Sequence, residues 1–151
     1  MEIKNWPKQI LTAGIMLAGG FVLFNAAFLL FAGIFWAMEA LSESTGKLFN
    51  PSTSRLLAYL CIMIISGLIL SSRLKVIVKA TILELPLMVT LVMAGIYFYG
   101  KPIYLLILFC AAIIAVVVAY IMYRKLSWQY YFAVASVTVL GVCIMIFNIQ
   151  I

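Results

Sequence analysis

The amino-acid sequence predicts an all-α, polytopic membrane protein, a bundle of about five transmembrane helices with its N-terminus inside and its C-terminus outside. Three observations lead there. Of the 151 residues, 68% are hydrophobic and 9% are charged, and the mean hydropathy is +1.26; a soluble domain is about half apolar and about a quarter charged. The apolar residues are gathered into long runs of spanning length. The ten Lys and Arg residues fall in short clusters between those runs, where cations anchor among lipid headgroups and set topology. No repeat, low-complexity tract or second domain interrupts the chain, so residues 1–151 read as one transmembrane domain.

The first predicted span is the 28-residue apolar run 11–38, preceded by Lys4 and Lys8. A signal peptide has an apolar region of about 7–15 residues and a small-residue cleavage site. This run is longer and has no convincing site, so it reads as an uncleaved helix, tilted or slightly overlong for the bilayer. Trp6 and Trp36 lie near its ends, where amphipathic rings favour the interface. Residues 39–55, "EALSESTGKLFNPSTSR", are the one long polar segment and read as an outer loop. Within it, Asn50-Pro51-Ser52 is no glycosylation acceptor, because proline holds the middle position.

Spans follow at about 56–72, 81–99, 103–123 and 128–147. The short turn "YGKP", Tyr99 to Pro102, forces the fourth span to return antiparallel to the third. Orientation comes from counting cations on each side. An inside N-terminus places Lys4, Lys8, Arg73, Lys75, Lys79, Arg124 and Lys125 in the cytoplasm, seven against the three (Lys47, Arg55, Lys101) outside. Tyr97, Tyr99 and Tyr104 would then mark the outer interface, and Tyr120, Tyr123, Tyr130 and Tyr131 the inner one.

These features exclude several functional classes. A net charge of +6 spread over short inter-helix clusters offers no soluble basic surface for a nucleic acid. The chain has neither histidine nor aspartate, and no phosphate-binding glycine loop, zinc-ligand spacing or nucleophile–base pair. Cys61, Cys110 and Cys143 lie in separate apolar runs and behave as small hydrophobes. The expectation is a protein that is not an enzyme, with no catalytic residue, cofactor or metal site.

The best functional lead is "ILELPLM", residues 82–88, which sets Glu84 two positions before Pro86 inside an otherwise apolar span. A third helix starting near Leu74 would bring Lys75 and Lys79 into hydrocarbon, so a start near Thr81 is preferred. The helix is expected to be kinked at Pro86, which cannot donate to the carbonyl of Ile82, because the 14 residues from Pro86 to Tyr99 are too short to span alone. Two readings of Glu84 stay open. It either faces the bundle interior as a proton carrier, cation ligand or partner for a basic group, or it reaches the headgroups beside Lys79 or Arg73. Asn25 and Thr90 join it as polar candidates within spans, and Arg73, Lys75 and Lys79 are candidate headgroup contacts.

Small or polar residues also line helix faces: Gly14, Ala18, Asn25 and Ala32; Pro86, Thr90 and Ala94; Ala111, Ala115 and Ala119; and Ala135, Thr138 and Gly141. Such faces let membrane helices approach closely. "AGG" at Ala18 to Gly20 likewise reads as packing. The function expected from these features is an accessory, assembly or protective subunit of the cell membrane, multi-pass, acting through helix–helix contacts with other membrane proteins or with itself. The alternative is a small oligomeric transporter or channel whose route uses Glu84 and Asn25.

Overall fold

The structure, a computed structural model, describes residues 6–46 and 50–146, with the side chains of Thr45 and of residues 144–146 outside the description. It is all-helical, with five helices in chain order: α1 (Trp6–Thr45), α2 (Pro51–Ser71), α3 (Val76–Tyr97), α4 (Ile103–Tyr123) and α5 (Trp128–Ile146). The first four are long and apolar enough to cross a membrane, and the described apolar part of α5, Trp128–Cys143, is shorter.

Boundaries follow local chemistry. The loop between α1 and α2 is much shorter than the expected residues 39–55: α1 runs on through Glu39 and Glu43 to Thr45, and α2 begins at Pro51. Polarity alone had suggested a loop, but Glu39, Ala40 and Leu41 are good helix formers, and the chain leaves the helix only at Gly46, whose φ is +64°. Asn50 then caps α2, its Oδ1 accepting from the Ser52 N–H at 3.0 Å, and Pro51 takes the first helical position where no N–H is needed. At 40 residues α1 is ~60 Å long, well beyond a hydrocarbon core of ~30 Å.

The third helix starts five residues before the expected Thr81 and runs unbroken through Pro86. Lysines had argued for the later start. In the structure Arg73 and Lys75 lie exposed ahead of the helix and only Lys79, half-buried, sits within its first turns. Lys4, Lys47 and Phe147, which entered the charge count and the last span boundary, lie outside the described residues.

The fourth helix spans 103–123 as expected. It ends in a Schellman motif: the Lys125 N–H donates to the Met122 carbonyl and the Leu126 N–H to the Ile121 carbonyl, both at 3.1 Å. Lys125 therefore holds a left-handed φ of +49°, while Leu126 packs against the core cluster that contains Ile121. Lys125→Gly is expected to raise stability by about 1 kcal/mol, since a side chain at such a φ costs roughly that much. Resistance to unfolding by a denaturing detergent would show it.

The central helix is α3, which packs against all four others, most extensively α5 and then α1 and α2. One core cluster joins Met16, Ala80, Leu87, Ile121, Tyr130, Ala133, Val134 and Val137; a second joins Ala27, Ile62 and Val89. On α2 the buried stripe is Ser54, Ala58, Ile62 and Ser66, one residue per helical turn. On α5 the buried face is Tyr130, Ala133, Val134 and Val137, with Ala135 exposed. The expected Ala135–Thr138–Gly141 face is therefore rotated from the one that packs, although Gly141 does lie against Leu91.

Candidate functional site: a carboxyl at the junction of three helices

Glu84 occupies the buried face of α3 with Ala80, Thr81 and Leu87. Only 6% of it is exposed, so its side chain lies within the bundle. Its Oε1 lies 3.2 Å from the Ser136 hydroxyl of α5. On the other side, Oε2 presses against Gly20 of α1, where any Cβ would collide with it. One turn earlier on α3, the Thr81 methyl lies 3.0 Å from where a Cβ on Gly19 would stand. Gly19 and Gly20 of the "AGG" stretch are thus the surface against which α3 seats Thr81 and Glu84. Thr81 directs its own hydroxyl to the Ile77 carbonyl at 2.9 Å, so it adds bulk to the junction and leaves Glu84 to Ser136.

The position is polar in an apolar setting. Glu84 sits eight residues beyond the first residue of α3, ~12 Å along the axis. Among the described residues its polar partner is the Ser136 hydroxyl, and the rest of its setting is apolar or glycine. Breaking a buried carboxyl away from its hydrogen-bond partner is costly because water cannot take that partner's place.

Thr90 lies two turns further along α3 and belongs to a different contact. Its hydroxyl donates to the Pro86 carbonyl at 2.6 Å. With that hydrogen used, the Tyr59 hydroxyl of α2, 3.3 Å away, is the donor to Thr90 Oγ1. Pro86 and Ala94 are buried on the same side, so the Pro86–Thr90–Ala94 face is covered, with Thr90 meeting Tyr59 of α2.

Asn25 is not brought to Glu84. It is exposed on α1, with its amide donating to the Phe21 carbonyl at 2.8 Å. Gly14, Ala18 and Ala32 are exposed with it, on the side of α1 opposite Met16 and Ala27. On α4, Ala111, Ala115 and Ala119 are all exposed too. Two of the four small-residue faces are therefore left uncovered among the described residues.

Ser136 is the site residue that sequence reasoning missed. A serine between Ala135 and Val137 in an apolar helix gives no sign of its target, and only the rotation of α5 that buries Ala133 and Val137 points it at Glu84. Among the described residues no group of three metal-binding side chains forms. Fold and site together define a helical bundle with several segments suited to a membrane and one buried carboxyl at its central junction. Comparison with protein-family models, with curated proteins and with solved structures found no match.

Proposed function

We propose that the chain is a non-enzymatic, multi-pass protein of the cell membrane that works as an accessory, assembly or protective subunit by docking the outward face of α1 on another membrane helix. One observation supports this above the rest: Gly14, Ala18, Asn25 and Ala32 line one face of a 40-residue helix and all are exposed. One amide hydrogen of Asn25 goes to its own helix; in hydrocarbon its remaining polar groups favour a partner, and small neighbours let that partner approach closely. The chain would cross five times, with the N-terminus inside, in keeping with seven cations on that side against three outside. A C-terminal reporter active only in the cytoplasm would contradict that threading.

Photo-crosslinking in native membranes tests the docking face. A photoreactive residue in place of Asn25 or Ala18 should give a discrete adduct with a second polypeptide, whether another protein or another copy of this one. Absence of any adduct from either position, in protein that is inserted and folded, would contradict the proposal.

The burial of Glu84 favours a second reading, a small oligomeric transporter or channel. Intramembrane carboxyls mark ion and proton routes in many such proteins. On that reading Glu84→Gln abolishes a proton- or cation-coupled flux in proteoliposomes, and unchanged flux would remove it.

A further inference from the structure

We propose that Glu84 is a reversible proton-binding site of the bundle, with Ser136 as the acceptor for the bound proton. This goes beyond the docking role of α1 and does not depend on it.

The inference starts from a count of hydrogens. The Ser136 hydroxyl has one, yet it lies between two acceptors: the Ala133 carbonyl of its own helix at 2.9 Å and Glu84 Oε1 at 3.2 Å. One hydrogen cannot point well at both, and the carbonyl is the nearer. A proton added to Oε1 removes the conflict. The carboxyl O–H then donates to Ser136 Oγ, Ser136 donates to the Ala133 carbonyl, and each hydrogen has a single acceptor. Without that proton, Ser136 must share its hydrogen or give up the carbonyl of its own helix. Binding is the gain of one proton from water at Oε1, and no other bond is made or broken.

The surroundings hold no competing charge. From α1, Gly19 and Gly20 face the carboxyl, and α1 has no Asp, Glu, Lys or Arg between residues 9 and 38. From α5, Ser136 faces it, and that helix has no charged residue from Trp128 to Cys143; its titratable groups there are Tyr130, Tyr131 and Cys143. On α3 itself the nearest charge is Lys79, five residues before Glu84 and on a more exposed part of the helix. A proton is therefore the ligand best suited to the site: it neutralises the carboxyl without requiring further ligands, and Gly20 leaves no room beside Oε2 for added bulk.

Infrared spectroscopy of the full chain in lipid vesicles, titrated from acid to alkaline, tests this. The wild-type spectrum minus that of Glu84→Gln should contain the carbonyl stretch of one protonated carboxyl, which disappears in a single one-proton step as pH rises. Ser136→Ala, which removes the acceptor, should keep that band but shift it to higher frequency. Circular dichroism establishes that each variant is folded. If Glu84→Gln does not fold, the Ser136→Ala frequency shift in wild-type background decides the question alone. No protonated-carboxyl band at any pH, a band that never titrates, or a frequency indifferent to Ser136→Ala would each overturn the proposal.

Discussion

Gly20→Ala is expected to destabilise the bundle by about 1–3 kcal/mol, the usual cost of forcing an extra group into a filled core. The new methyl would land on Glu84 Oε2. Either the carboxyl swings away and loses Ser136, or α1 retreats from α3 and opens the contact that Gly19 and Thr81 share. A change of the same kind at Gly14, which has nothing within 4 Å of the Cβ position, should be neutral or slightly stabilising, because alanine is the better helix former. The collision predicts a specific coupling. In the Glu84→Ala background the Gly20→Ala penalty should largely vanish, so the double-mutant cycle should return an interaction of about 1–3 kcal/mol. Unfolding in a graded denaturing detergent measures all four corners. A Gly20→Ala penalty that persists without the Glu84 carboxyl would mean that something other than this contact limits the approach of α1.

Glu84→Lys should have a still larger effect. It puts an ammonium where there is no acidic partner and where Gly20 and Ser136 set the available space. A lysine near the centre of a membrane helix costs about 2.5–3.5 kcal/mol, and here steric conflict adds to it. The expected result is loss of the folded, monodisperse protein in mild detergent. Glu84→Gln, close in shape and still able to bond Ser136, should stay within about 1 kcal/mol of wild type. If the lysine variant purifies folded and as stable as the glutamine variant, Glu84 is not enclosed by α1 and α5.

Much of this architecture is legible in the sequence, for a simple reason. Long apolar runs between basic clusters have few structural solutions, and α4 falls on residues 103–123, while α2 ends and α5 begins within a residue of expectation. The errors lie where composition is ambiguous. Glu39 and Glu43 look like loop but extend a helix that has already left the apolar zone. Lys79 looks too polar for a span but sits half-buried near the start of α3. Which face of each helix packs is the least legible property. An apolar residue suits lipid and protein neighbours equally, so small-residue spacing identified the packed Pro86–Thr90–Ala94 face and equally the exposed Ala111–Ala115–Ala119 one. Glu84 drew attention by its charge and Gly20 by its neighbour Gly19, but nothing in the spacing of residues 20, 84 and 136 links them. That link exists only through the way α1 and α5 meet α3.

Co-purification from native membranes in mild detergent, comparing wild type, Asn25→Leu and Glu84→Gln, tests the docking role most directly. The outward face of α1 predicts a stoichiometric partner held by wild type and by Glu84→Gln, and lost or sharply reduced with Asn25→Leu while the bundle stays folded. A wild-type protein that purifies as a lone monomer, or a partner that survives Asn25→Leu and leaves with Glu84→Gln, would contradict it.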